Sequence, residues 1–338
     1  MKCLPLLILA AIMLADTAMA QRMSPLPAFS GGVPGLAQTQ AIAMQRHQAR
    51  TLLYQEALEE LRKNPNAADV PLCPAGVSPQ GTLCLKRPDT SLAGKTSEPT
   101  VPTVRRHLAV LFGNNDYKNP IPDLETPIAD VEEIASILRK QFGYDVKVVE
   151  NASKSQIIET LNAVAADAKQ DDSVFIFYAG HGYLLEDIDM GFWIPIDGSV
   201  KSPNNWISNK DISRLLAAIP ARQLILVSDS CFSGSLTREY KVNYTTVANP
   251  EDVLRKRSVL AFSSGGEEPV SDEGKDGHSI FAWSLIKALN AVRGTTSGQQ
   301  IWHTVSGGVA KEYNQNPQYG AVLSAGHTEG GEYLFQTR

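Results

Sequence analysis

The chain has 338 residues, of which 43% are hydrophobic and 20% charged, and a formal net charge of −5. This suits one globular domain of ordinary size with appended segments. The mild acidity, without a basic cluster, argues against a nucleic-acid partner, and past the start of the chain no segment has the ~18 uninterrupted apolar residues of a membrane helix.

Residues 1–20 have the pattern of a signal peptide: Lys2, an apolar run from Leu4 to Leu14, and the small-x-small site Ala18-Met19-Ala20. Cleavage near Ala20 predicts export, to a bacterial periplasm or exterior first and through a eukaryotic secretory route second. Cys3 stands too early to be a lipoprotein cysteine. Residues 21–103 read as an N-terminal extension. Pro and Gly are frequent over 21–35. Ala49, Leu53, Ala57 and Leu61 recur every four positions and predict one helix over 36–63, ended by Asn64-Pro65. A single amphipathic helix cannot bury its stripe alone, so it must dock on something. Cys73 and Cys84 lie in a Pro/Gly-rich loop, "CPAGVSPQGTLC". An oxidising compartment favours a disulfide between them. Zinc is the weaker alternative, because no His or further Cys stands nearby. "TSEPTVPT" then has the composition of a linker.

From residue 104 to 338 strands and helices alternate. Strands are predicted at 107–113, 146–150, 173–179, 223–229, 258–264 and 332–337, with a short extended piece at 192–195. Helices are predicted at 127–143, 153–168, 208–219, 279–292 and near 299–314, with Ser208 and His278-Ser279 at two of the openings. Near-continuous apolar strands between amphipathic helices imply a mostly parallel six-stranded sheet covered on both faces, an α/β fold. Such sheets bind ligands at the carboxyl ends of their strands.

Two strands end in chemistry at that edge. "SVFIFYAGHG" carries His181 just past the third strand, and "QLILVSDSCFSG" carries Cys231 past the fourth. If these strands are neighbours, imidazole and thiol face each other across one crevice. The histidine then promotes the thiolate and later protonates the leaving amine. The N–H groups of Gly182 and Cys231 can form an oxyanion hole.

These stretches resemble the caspase–metacaspase group of cysteine peptidases. The resemblance covers about 105–338 and rests on "LFGNNDYKN", Asp130, "YAGHG", "GFWIPID", "NWISNKDI", "DSCFSG" and "GHSIFAWSLIKAL". The histidine precedes the cysteine by fifty residues, the spacing expected of caspases. The resemblance implies the caspase-like (caspase-hemoglobinase) fold and endopeptidase activity on protein or peptide substrates. Caspases carry Gln-Ala-Cys and cut after aspartate. Here Asp-Ser-Cys matches the metacaspase-like branch, which cuts after Arg or Lys, and by that resemblance Asp130 and Asp229 line the S1 pocket. Two partly desolvated carboxylates attract a guanidinium, by roughly 4 kcal/mol per close pair at most. Asp229 should also oppose thiolate formation until a cationic substrate arrives.

The chain departs from that branch at Phe232, where His is usual, and at Ala179, where Ser is usual. The run after the cysteine is also similar to legumain-like peptidases, which cut after Asn. A catalytically silent binding or scaffold module on the same fold is the reading from another class. No metal or cofactor is demanded by the residues. Metacaspases often need calcium, so calcium activation is an alternative, and the acidic stretch "SDEGKDG" (271–277) with Glu267 and Glu268 could bind the ion; it lacks regular ligand spacing, so a solvated loop is the simpler reading. His47, His107, His278, His303 and His327 read as surface or capping residues. Arg105-Arg106, Arg238, Lys241 and "RKR" (255–257) are places where an enzyme cutting after basic residues could process itself, or simply charged loop residues.

Overall fold

The computed structural model describes residues 45, 48–88, 103–230, 240–241, 249–265, 275–312 and 315–338. The expected signal peptide, the 21–35 stretch and the 89–102 linker lie outside the described residues.

Helical turns over 48–53 lead into α1 (Gln55–Lys63). The single helix expected to run to residue 63 is interrupted at Tyr54, because the Ala57 N–H donates to the Val200 carbonyl (3.3 Å) instead of to the helix. Then follow β1 (His107–Gly113), α2 (Pro127–Ile137), β2 (Asp145–Glu150), α3 (Lys154–Asp167), β3 (Ser173–Ala179), β4 (Gly182–Leu185), β5 (Met190–Trp193), β6 (Ile207–Ser208) and α4 (Asn209–Ala218). The second half of the chain adds β7 (Gln223–Asp229), β8 (Tyr240–Lys241), α5 (Pro250–Arg255), β9 (Ser258–Ser263), α6 (Ile280–Ala291), β10 (Thr295–Ser297), α7 (Gly298–Glu312), β11 (Gln318–Ala321) and β12 (Leu334–Gln336). A π-helical turn, Leu138–Phe142, prolongs α2.

The central sheet has the order β2-β1-β3-β7-β9-β11-β8. Its first five strands run parallel; β11 pairs antiparallel with β9, and β8 antiparallel with β11. Strand residues alternate between two cores, as the period of two requires. Phe175, Phe177, Ala179, Ile225 and Val227 pack toward α2, α6 and α7, while Val174, Ile176, Tyr178, Leu224 and Leu226 pack toward α3 and α4. The expected fold class is therefore present. Ser208 and Ser279 cap α4 and α6 by accepting the N–H groups of Asp211 and Ala282, as the sequence predicts. Gly113 lets α2 close onto the end of β1: a Cβ there would lie 2.7 Å from the Pro127 carbonyl.

The strand inventory differs in two places. The predicted closing strand pairs Leu334–Gln336 with β10 in a separate ribbon. Its apolar residues Tyr333 and Phe335 are there to fill the α2–α6 core, where Phe335 meets Phe142 and Phe175 edge-on. The sheet's sixth strand is instead β11, four residues long, and the two-residue β8 is a seventh. Neither is long enough to show a period. The first half of the 192–195 piece lies in β5, which joins β4 and β6 in a three-stranded antiparallel sheet directly after His181.

The described part of the N-terminal extension packs on this framework. Residues 42–338 form one compact unit. Tyr54, Ala57, Leu58 and Leu61 are buried with Tyr117, Ile121, Tyr183, Phe192 and Trp206. The Lys154 ammonium donates to the carbonyls of Ala68 (2.7 Å) and Asn204 (2.8 Å), and Asp211 accepts the Val70 N–H at 2.8 Å. Cys73 and Cys84 are joined by a disulfide with Cα atoms 4.9 Å apart, and the Asn162 amide donates to the Cys84 carbonyl. Among the described residues no helix is long and apolar enough to cross a membrane.

Candidate active site

β3 and β7 are parallel neighbours with Ala179 opposite Asp229. The Gly180 N–H continues the ladder to the Asp229 carbonyl at 3.2 Å. His181 stands two residues beyond its strand. Cys231 stands two residues beyond Asp229 in sequence and lies outside the described residues.

His181 is buried and held at four points. Its N–H donates to the Tyr117 hydroxyl at 2.9 Å. Its carbonyl accepts from the Tyr178 hydroxyl and the Ile194 N–H, both at 3.0 Å. Its Nε2 lies 2.8 Å from the Pro122 carbonyl. The Tyr117 ring meets the imidazole edge-on, centroids 4.6 Å apart. A carbonyl can only accept, so Nε2 carries a proton and Nδ1 is the basic nitrogen of the neutral ring. Burial lowers the His181 pKa to about 4; the Pro122 carbonyl and Asp123 oppose that fall, and the Arg50 charge adds to it. The imidazole is thus neutral at pH 7. Gly180 must be glycine, since a Cβ would lie 2.7 Å from the Tyr117 hydroxyl and 2.9 Å from that of Tyr178.

Gly182 opens β4 opposite Trp193. The Ile194 N–H bonds the His181 carbonyl, so 181/194 is a hydrogen-bonded pair of this antiparallel ladder and 182/193 is not. The Gly182 N–H therefore points away from β5. On the other face, the Trp193 indole N–H donates to Ser228 Oγ (3.0 Å), which lies 3.0 Å from Ser230 Oγ, and Trp193 stacks on Tyr178 at 4.2 Å. These contacts anchor the end of β7.

Asp130 and Asp229 come together on the opposite side of the sheet. Asp229 follows Ile225 and Val227 in the alternation that faces α2 and α6. Asp130 sits in the first turn of α2, entirely buried. Its Oδ1 accepts from His278 Nδ1 at 2.8 Å, and its Oδ2 has a long contact (3.5 Å) from the Ser279 N–H. The Ser279 hydroxyl donates to Asp229 Oδ2 at 2.5 Å. His278 is thus a hydrogen-bond partner of the buried Asp130 rather than a simple surface or capping residue. His327 is likewise mostly buried, with Nδ1 accepting the Val259 N–H.

Residues 106–325 match the family model described as the caspase domain, Peptidase_C14. The chain belongs to this caspase-domain family of peptidases. It is similar to metacaspase-7 of Arabidopsis thaliana, 31% identical over 172 residues that cover 46% of this chain and 41% of that protein. It is also similar to caspase-1 of Sus scrofa, 32% identical over 122 residues, 34% of this chain and 30% of that one. The chain thus spans less than half the length of these relatives. The solved caspase-1 of Spodoptera frugiperda superposes with a TM-score of 0.47 at 13% identity, covering 66% of this chain and 89% of that one.

Arg105 and Arg106 are paired with Asp171, Asp172 and Asp167, and their backbone is hydrogen-bonded to the start of β3. Arg257 is buried enough to lower its pKa to about 10 and donates to the carbonyls of Ala221, Leu216 and Ala325. Arg105, Arg255 and Lys256 are exposed. Arg238 lies outside the described residues, as does most of the acidic 271–277 loop. Among the described residues no group of three or more His, Cys, Asp or Glu side chains converges to hold a metal ion.

Proposed function

We propose that this caspase-domain protein is an exported cysteine endopeptidase that uses Cys231 and His181 and cleaves peptide bonds after Arg or Lys. The observation that carries the reading is the state of His181: neutral, with Nε2–H engaged by Pro122 and Nδ1 left basic, beside the strand that leads into Cys231.

Nδ1 takes the thiol proton as sulfur attacks the scissile carbonyl. The resulting oxyanion is met by the N–H groups of Gly182 and Cys231; the outward aim of the Gly182 N–H supports this role. The intermediate collapses as the imidazolium returns its proton to the leaving amine, giving a thioester. Water, deprotonated by His181, then hydrolyses the thioester and restores the thiol. A carboxylate at Asp229, two residues before Cys231 in sequence, disfavours a thiolate, which suits a thiol deprotonated only as it attacks. Asp130 and Asp229 form the floor of S1, and two carboxylates there favour a P1 cation and repel a P1 aspartate. The Cys73–Cys84 disulfide supports an oxidising compartment.

The test is hydrolysis of fluorogenic peptides ending in Arg, Lys, Asn or Asp at P1, with and without calcium, by the chain from residue 21 and by Cys231→Ala. Cleavage after Arg or Lys that disappears in the variant is the expected outcome. Cleavage after Asn would make the enzyme legumain-like and overturn the acidic S1. Failure to cleave any peptide would favour a binding module.

A further inference from the structure

Two buried carboxylates that meet in one pocket need hydrogen-bond partners that fix their oxygens before a substrate cation arrives. Among the described residues, one contacts both. Ser279 donates its hydroxyl to Asp229 Oδ2 and directs its N–H at Asp130 Oδ2, while its Oγ accepts the Ala282 N–H at the start of α6. Both hydrogen-bonding functions of the hydroxyl are therefore used, which fixes its rotor. Ser279 is itself buried, at 3% exposure. The three groups come from three elements, α2, β7 and the opening of α6, whose N-terminal dipole also favours the negative charge.

We propose that Ser279 is a positioning residue for P1 recognition, holding Asp130 and Asp229 as one preformed acceptor for a guanidinium or ammonium. This rests on the reading of those carboxylates as S1. Ser279 makes no covalent contribution, so its loss should weaken recognition of the P1 cation more than the chemical step. Helix capping is the competing role, and the choice of substitution separates the two. Glycine is a good N-cap and alanine a poor one, yet both lack the hydroxyl.

The experiment compares the full chain with S279G, S279A and S279T. It measures KM and kcat on P1-Arg and P1-Lys peptides, competitive inhibition by benzamidine as an amidinium probe, and the thermal midpoint. Loss of a hydrogen bond to a charged group predicts that S279G and S279A both raise KM and the benzamidine inhibition constant by about tenfold, with kcat changed by less than about threefold. S279T, which keeps the hydroxyl, should restore both constants, and S279G should melt nearer to wild type than S279A does. Unchanged KM and inhibition constants in S279G would overturn the proposal, as would a KM effect that follows the melting temperature and spares S279G. If the wild-type chain cleaves after neither Arg nor Lys and benzamidine does not compete, the basic S1 itself falls and this role with it.

Discussion

Tyr117→Phe isolates the hydroxyl that holds the backbone of His181. In the wild type that oxygen accepts the His181 N–H at 2.9 Å, and both residues are buried. Phenylalanine keeps the ring edge against the imidazole, so aromatic packing is conserved. The N–H is left buried without this acceptor, at a cost of about 1–3 kcal/mol. Part of that cost appears as destabilisation, at roughly 2–4 °C per kcal/mol for a domain of this size. The rest appears as a histidine less well held toward Pro122, and each 1.4 kcal/mol lost from transition-state stabilisation costs about a decade in rate. The expected result is a kcat lower by about ten- to a hundredfold on a P1-Arg peptide. KM should change little, because Asp130 and Asp229 lie on the α2–α6 side and Tyr117 in the cluster with α1. Steady-state kinetics and a thermal melt on the same preparation read both consequences. A variant with wild-type kcat and wild-type melting temperature would refute the assignment of Tyr117 as the anchor of His181.

Leu58→Ala should destabilise the protein by about 2–5 kcal/mol and reduce kcat, because Leu58 is fully buried in the cluster that contains Tyr117 and Tyr183. Leu52→Ala, in the helical turns that precede α1, is the exposed control, expected within about 0.5 kcal/mol of wild type, and denaturant unfolding of both variants decides the matter. Glu332 is buried beside Tyr319 and accepts the Tyr333 N–H, and burial raises its pKa from 4.5 to about 7. An acid with a raised folded-state value contributes its full stability below the unfolded value and loses it as pH rises through about 7. The gap is worth on the order of 3 kcal/mol, so wild-type stability should fall between pH 5 and 8 by roughly that amount more than in Glu332→Gln. Parallel pH–stability curves for the two proteins would exclude Glu332 as the source.

Much of the frame was legible before any coordinates. β3 and β7 are seven-residue strands buried throughout, and their unbroken apolar runs announce a sheet covered on both faces. The serines that open α4 and α6 were visible as caps because capping is a contact over three residues. His181 and Asp229 were visible as strand-end residues because strand boundaries are local. The N-terminal helix was recognisable from its stripe, but its interruption at Tyr54 was not, since the competing acceptor is the carbonyl of Val200.

The sequence by itself therefore determined the alternation of elements, the edge of the sheet where polar residues collect, and the identity of the family. Tertiary structure alone decided who holds whom. Tyr117 and His181 are 64 residues apart, Asp130 and His278 are 148 apart, and the serine that joins Asp130 to Asp229 belongs to a helix remote in sequence from both. Tertiary structure also decided that the apolar residues of 332–337 fill a core while the weakly patterned 318–321 joins the sheet. The physical reason is common to all of these. Local periodicity records which face of an element is apolar, whereas the partner of a buried polar group is chosen by whichever donor or acceptor the completed packing brings within reach.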